Sequence, residues 1–224
     1  LMLVVTGGAG FVGSNLIEAL NRSGRDQILL VDDLRDASKI TNLTDLTISD
    51  YKDKDEFLSD INTHGIPESV TGVFHQGACS DTMATDGRDV MSTNYTYSKK
   101  LFLACARAGV SFIYASSASV YGLEGPFCES GEGEQPLNAY AYSKFLFDRY
   151  VSLERPHISN QVVGLRYFNV YGPREDHKCR MASVAWHIVA QYHKNGAVRL
   201  FDGSGGYGPG EQRRDFVHVK DVAQ

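Results

Sequence analysis

Three groups of residues in this 224-residue chain have types and spacings that could do chemistry. Tyr140 and Lys144 stand four apart in Tyr140-Ala141-Tyr142-Ser143-Lys144, so a helix would place them on one face. An ammonium beside a phenol lowers its pKa from about 10, which equips the phenol to take a proton from an alcohol as hydride leaves. Upstream, Ala115-Ser116-Ser117-Ala118-Ser119 offers hydroxyls that could hydrogen-bond the same alcohol oxygen; Ser117 is the candidate and the adjacent Ser116 its rival. The third group is Gly7, Gly10 and Gly13 in Thr6-Gly7-Gly8-Ala9-Gly10-Phe11-Val12-Gly13, a G-x-x-G-x-x-G spacing between an apolar run and a segment of helical period. Glycines there permit a tight turn, close approach to a pyrophosphate and close helix packing, while the helix N-terminus offers free N–H groups and a partial positive charge. A bare glycine triplet reads as a turn, but between a strand and a helix it reads as a dinucleotide cradle. Asp32, at the end of the next apolar run, stands where a carboxylate would meet a ribose hydroxyl and argues for NAD. Lys39 and Lys54 could instead meet a 2′-phosphate or be solvated surface charges, so the residues alone leave NAD and NADP open.

These groups need a scaffold. Leu3-Val4-Val5, Ile28 to Val31, Gly72-Val73-Phe74, Phe112-Ile113-Tyr114 and Val162 to Leu165 read as strands, and 12–23, 94–108 and 140–153 as helices between them. Such alternation builds a parallel sheet covered on both faces, because each crossover must return outside the sheet. The expected fold is a Rossmann-type doubly wound α/β sheet. Past residue 168 the chain turns polar and Pro/Gly-punctuated over 169–180, followed by a helix expected over 181–194 and a glycine-rich loop over 203–210. The organisation expected is a dinucleotide-binding domain with the catalytic residues over 1–168 and the start of a smaller substrate-binding lobe over 169–224. The boundary is soft, because the later elements should fold over the sheet. The stop at Gln224, at the start of another helical pattern, predicts further C-terminal residues.

Composition narrows the partners. With 42% hydrophobic residues and a net charge of −5, the chain reads as soluble and globular, and it has no basic run of the kind that grips nucleic acid or an anionic membrane. The first apolar stretch, Leu1 to Val5, is too short for a signal core or a span. Cys79, Cys105, Cys128 and Cys179 form no C-x-x-C pair or zinc-spaced cluster, so reduced thiols, a cytoplasmic setting and no metal are expected. His75 and His218 read as packed strand-end histidines, and Trp186 and Tyr192 as helix packing.

Together these motifs resemble the extended short-chain dehydrogenase/reductases, the superfamily of nucleotide-sugar epimerases and dehydratases, over essentially the whole chain. Phe168-Asn169-Val170-Tyr171-Gly172-Pro173-Arg174 and Arg214-Asp215-Phe216-Val217 match stretches whose asparagine and arginine usually contact the nucleotide diphosphate. Dehydratases of the group commonly carry Thr-Asp-Glu where this chain has Ser117-Ala118-Ser119, which disfavours dehydration. His75-Gln76-Gly77-Ala78-Cys79-Ser80, Tyr142 to Asp148, and Phe168 to Lys178 followed by Met181 to Ala185 resemble, more narrowly, the ADP-glyceromanno-heptose 6-epimerase family of lipopolysaccharide precursor synthesis. That resemblance implies bound NADP, an ADP-sugar substrate epimerised at carbon six, and a homo-oligomer, pentameric in that family. It implies Tyr140 as one base and Lys178 as a second acting from the other face of the sugar carbon; pairing of Lys178 with substrate phosphate is the alternative. It places cofactor contacts at Phe11, Val12, Asp32, Asp33, Lys39, Lys54, Gln76, Gly77, Ala78, Cys79, Ser80, Asn94, Lys144 and Val170. Substrate contacts fall at Ser117, Asn169, Arg180, His187, Phe201, Asp202, Gly203, Ser204 and Arg214. Lys178-Cys179-Arg180 departs from the Lys-Gly-Ser of some members, and the glycine loop before Arg213 is longer than in the shortest relatives. The competing readings are a UDP-hexose 4-epimerase and a non-catalytic NAD(P)-binding regulator; the retained Tyr140/Lys144 pair argues against the latter.

Overall fold

Strands buried on both faces of a parallel sheet read as unbroken Val/Ile/Leu runs, and such runs form the centre of this molecule. The computed structural model describes residues 1–224. Its strands β1 (Met2–Thr6), β2 (Ile28–Asp32), β3 (Asp50–Asp53), β4 (Val70–His75), β5 (Ser111–Ser117) and β6 (Val162–Tyr167) form one parallel sheet in the order β3-β2-β1-β4-β5-β6. The crossovers carry α1 (Phe11–Arg22), α2 (Lys54–His64), α3 (Gly87–Met91), α4 (Tyr97–Ala108) and α5 (Ala139–Glu154). Every apolar run expected to be a strand lies within one of these six.

The core has two parts. Phe102, Phe112 and Phe147 are fully buried at the centre of the larger cluster, which also takes in Phe57 and Ile61 of α2, and Val5, Ile17 and Leu30 pack beneath α1. Burying such a side chain contributes roughly 1.5–3 kcal/mol. Order reverses between β1 and β4, so the loops after these strands flank a crevice at the carboxyl ends of the sheet, where ligands of doubly wound folds bind.

Two elements lack an apolar signature. The edge strand β3, Asp-Tyr-Lys-Asp, pairs only with β2 and is half-exposed, so it keeps polar side chains; α2 follows it directly, its start capped by the Asp53 carboxylate accepting from Asp55 N–H at 2.8 Å. The helix expected from Asn94 instead begins upstream: α3 runs into α4 through a π-helical turn, Ser92–Thr96, that contains Asn94. The helix expected over 181–194 is α6 (Val184–Asn195), which starts later because Ser183 is extended and its hydroxyl caps Trp186 N–H at 3.1 Å. Before it comes β7 (Asn169–Tyr171), which pairs in parallel with β8 (Phe216–His218), and α7 (Val219–Val222) then packs beside α1. The Arg174 guanidinium ties this segment to the first half of the chain, donating to the Asn42 carbonyl at 2.6 Å and bridging Asp45 and Glu18.

Candidate active site

The glycines of the first loop are required by backbone contact. Gly7 has φ +67°, and a Cβ there would lie 2.5 Å from the Gly77 nitrogen in the loop after β4. A Cβ on Gly13 would strike the Gly7 carbonyl oxygen. No side chain caps α1 at Gly10, so the amides of its first turn face the crevice without a competing anion. A cradle this bare, at a switch point and at the end of a 12-residue helix, fits the diphosphate of a dinucleotide.

Behind the cradle a chain of hydrogen bonds joins the two loops to the catalytic helix. The Ser98 hydroxyl donates to the Asn94 carbonyl at 2.6 Å, so the His75 contact at 2.8 Å has Nε2–H donating to Ser98 Oγ. His75 Nδ1 then accepts from the Thr6 hydroxyl at 2.6 Å, and Thr6 Oγ1 accepts from Gly77 N–H at 3.3 Å. Burial pushes the His75 pKa down to about 3, with the Lys144 charge adding to the effect, and the imidazole is neutral. Asn94 accepts from Cys79 N–H at 2.8 Å and donates to the Cys79 carbonyl at 3.0 Å and to Ser143 Oγ at 3.1 Å. Its side chain therefore pins the 76–80 loop to α5.

At the far end of the cradle Asp32 is 5% exposed and fully engaged: one carboxylate oxygen accepts from Ala9 N–H at 2.8 Å, the other from Asp33 N–H at 2.7 Å and Lys39 Nζ at 3.0 Å. Lys54 and Arg35 line the same end. The Arg35 guanidinium on Asp33 holds that carboxyl down at about 2.

Ser116 and Ser117 both line the cleft, and they differ in what their hydroxyls bond. Ser116 is 2% exposed and donates to Asp148 at 2.8 Å, together with the Tyr114 hydroxyl at 2.9 Å and Arg166 Nε at 3.1 Å. Ser117 points the other way, its Oγ accepting from the Ser119 hydroxyl at 2.9 Å, and its closeness to the Tyr140 phenol opposes part of the rise that burial causes in the Tyr140 pKa. The expected lowering of that pKa by Lys144 does not occur. The Lys144 ammonium, 4% exposed, donates to the Ala115 carbonyl at 2.8 Å instead, and burial drives its own pKa down to about 8 against the pull of Asp148. Desolvation of the phenol outweighs a cation aimed at another acceptor.

Lys178 sits beside the cradle, its ammonium 5.1 Å from the Phe11 ring centroid. Burial lowers its pKa and the Glu175 carboxylate opposes the shift. Tyr140, Lys144, Ser117 and Lys178 all line one cleft of about 1920 Å³ that is continuous with Gly7, Gly10 and Gly13. That volume exceeds the roughly 300–1,000 Å³ of a single small-molecule pocket and suits a dinucleotide beside a second nucleotide-bearing ligand.

Of the other expected contacts, Phe11, Val12, Asp32, Asp33, Lys39, Lys54, Gln76 to Ser80, Asn169, Val170, Phe201, Asp202, Ser204 and Arg214 line this cleft. Asn94, Arg180, His187 and Gly203 do not. Asn94 sits one layer back, bonded to the Cys79 backbone. Arg180 is exposed and pairs with Asp81 at 3.0 Å, while His187 contacts the Arg180 carbonyl at 3.3 Å. Gly203 is a spacer between lining residues. Arg35 and Tyr167, which had no motif to mark them, and His177, inside a matching stretch but given no role there, also line the cleft; the Tyr167 hydroxyl donates to Gln76 Oε1 at 3.2 Å.

A glycine cradle at the β1/β4 switch point, with a Ser/Tyr/Lys set at the end of β5 and on α5, defines a nicotinamide-dependent enzyme of the short-chain dehydrogenase/reductase type. Residues 3–224 match the NAD dependent epimerase/dehydratase family, and the chain belongs to that family. It is 56% identical over 221 residues to the ADP-L-glycero-D-manno-heptose-6-epimerase of Thiobacillus denitrificans, which covers 99% of this chain and 67% of that protein. The crystal structure of the Helicobacter pylori enzyme of the same name superposes with a TM-score of 0.81 at 32% identity, over 99% of this chain and 70% of that one. A UDP-N-acetylglucosamine 4-epimerase from Methanobrevibacter ruminantium gives a TM-score of 0.81 at 30% identity, over 99% and 70%.

Proposed function

We propose that the protein is an ADP-glyceromanno-heptose 6-epimerase, interconverting ADP-D-glycero-D-manno-heptose and ADP-L-glycero-D-manno-heptose in lipopolysaccharide precursor synthesis. The observation that carries the reading is the presence of two proton-transfer candidates, Tyr140 with Ser117 and, beside the cradle, Lys178, in one cleft that continues into the glycine cradle. The 56% identity to the Thiobacillus denitrificans enzyme supports the choice of sugar.

Carbon six of the heptose is an unactivated carbinol, and with no neighbouring carbonyl to stabilise an anion its inversion needs oxidation and re-reduction. The nicotinamide, when bound, would supply a reversible hydride acceptor. Tyr140 takes the proton of the carbon-six hydroxyl, Ser117 holds that oxygen, and Lys144 fixes the end of β5 through the Ala115 carbonyl. In the second half-reaction the oxygen points to the other side of the carbon. Lys178, with a pKa lowered by burial, exchanges the proton there. The 169–224 segment supplies the substrate side through Asn169, Phe201, Asp202, Ser204 and Arg214.

The cofactor in this reading is NADP. Both Asp32 oxygens are engaged by Ala9, Asp33 and Lys39, which blunts competition from a ribose hydroxyl, and Arg35, Lys39 and Lys54, each paired with an aspartate here, are the cations at that end that would meet a 2′-phosphate. No helix is long and apolar enough to cross a membrane. A cytoplasmic homo-oligomer completes the proposal. The test offers the purified protein each epimer of the ADP-heptose, and UDP-glucose and UDP-N-acetylglucosamine in parallel, with NMR following the products. Conversion of the ADP-heptoses and no change in the UDP-sugars supports the reading; conversion at carbon four of a UDP-sugar overturns it in favour of a 4-epimerase.

A further inference from the structure

Glu175 has no part in the mechanism above, yet it is among the most deeply buried charged residues of the chain, at 1% exposure. Its carboxylate accepts from Gly172 N–H at 2.9 Å, Ser183 N–H at 2.6 Å and the Ser183 hydroxyl at 2.9 Å. These partners sit at the two ends of the segment that carries Lys178. Within that segment Arg174 and Cys179 are left-handed, with φ +72° and +47°, so the backbone is held where side chains resist it. All three donors are neutral, and an unpaired buried carboxylate is costly. Lys178 follows Glu175 by one turn, its N–H donating to the Glu175 carbonyl at 2.9 Å, and the Glu175 charge favours the protonated ammonium.

We propose that Glu175 is a positioning residue for Lys178: it clips the 172–183 segment closed and acts as counter-charge to the ammonium, so that the second proton-transfer group stays in the cleft that Tyr140 lines. The inference rests on the epimerase reading. Few other ionisable groups face Lys178. His177, beside it, accepts from Asn42 and is held toward its neutral form by burial and by the charges of Lys39 and Lys178. Asp36 acts on His177, Asp176 is engaged by the Trp186 indole, and Arg180 is turned to Asp81. Facing it from α1 is the Phe11 ring, with Glu18 committed to Arg22 and Arg174; Tyr140 lines the same cleft.

Glu175→Gln tests this. Glutamine keeps the shape, loses the charge and turns an NH2 toward a backbone N–H or the Ser183 hydroxyl. Single-turnover oxidation of each epimer would be measured across pH in the wild type, E175Q, K178M and the double variant, with thermal unfolding and copurified cofactor as structural readouts. Expected is a loss of at least about tenfold confined to the epimer whose oxidation K178M impairs, a downward shift of that limb of the pH profile, and no further loss when E175Q is added to K178M. Equal losses for both epimers, or full additivity with K178M, would overturn the positioning role. If K178M itself shows no preference between epimers, the two-base reading fails first, and the failures remain distinguishable. Should E175Q not fold, Glu175→Asp takes its place: it keeps the charge on an arm too short to span Gly172 and Ser183, and a symmetric loss there would sink the proposal.

Discussion

His75 couples the stability of the cradle to acid in a way that can be separated from every other titration. Its ring is sealed between Tyr97 and Phe112, at centroid distances of 5.9 and 5.8 Å, and both nitrogens are engaged with the ring neutral. The unfolded chain binds a proton below 6.5, whereas the folded chain refuses it until about pH 3. Between those values the unfolded state holds more protons, so stability falls as pH falls through that window. The full depression from 6.5 to about 3 corresponds to roughly 5 kcal/mol, an upper bound because local opening would limit it. At pH 4.5, two units into the window, the penalty is roughly 3 kcal/mol. His75→Gln is neutral at every pH and can still accept from Thr6 or donate to Ser98, at an expected constant cost of about 1–2 kcal/mol. Urea unfolding of the cofactor-free protein at pH 7 and 4.5 then gives a difference of differences in which the carboxylates cancel. The wild type should lose roughly 3 kcal/mol more than the variant on acidification. Parallel losses would refute the neutral, sealed imidazole and with it the hydrogen-bond chain from Thr6 to Asn94.

Other perturbations probe other parts. Cys179 sits at φ +47°, ψ −119°, a backbone conformation where glycine is at ease; Cys179→Gly should stabilise the protein by about 1 kcal/mol and raise Tm by about 2–4 °C in calorimetry. Lys144 is lowered from 10.5 to about 8, so the unfolded chain holds the extra proton above pH 8 and stability should rise by roughly 2 kcal/mol between pH 8 and 9.5. Lys144→Met should lack that rise in urea titrations of the cofactor-free protein. Lys39→Met should weaken NADP at least about tenfold in calorimetric titration and NAD much less, because a charge-assisted contact to the 2′-phosphate is lost; equal weakening would count against NADP.

The sheet was legible because β1, β2, β4, β5 and β6 announce themselves as apolar runs, and the cradle because its glycines fall between a strand and a helix. β3 and α2 were not, since an edge strand such as Asp50–Asp53 needs no apolar face and pairs through its backbone. Spacing placed Tyr140 and Lys144 on one helix face but could not say where the ammonium points: only the fold brings the Ala115 carbonyl within 2.8 Å, and burial of the phenol then reverses the expected pKa shift. The choice between Ser116 and Ser117 needed the sheet too, because their alternation matters only once Asp148 is known to lie behind β5. Arg180 and His187 were implied by the resemblance alone, Arg180 at a position that departs from the family pattern, and in the fold Arg180 is turned to Asp81 at the edge of the cleft. Glu175 lies in a matching stretch that assigned it no role, and its burial becomes visible only when Gly172 and Ser183 meet.

Deuterium transfer during turnover reaches the central claim. With ADP-D-glycero-D-manno-heptose carrying deuterium at carbon six, the enzyme in ordinary water should yield the L-glycero epimer with the label fully retained at that carbon by NMR and mass spectrometry, and Tyr140→Phe should yield neither epimer from the other. Washout of deuterium into solvent during epimerisation would contradict inversion by hydride removal and return in the cleft that joins Tyr140 to the glycine cradle.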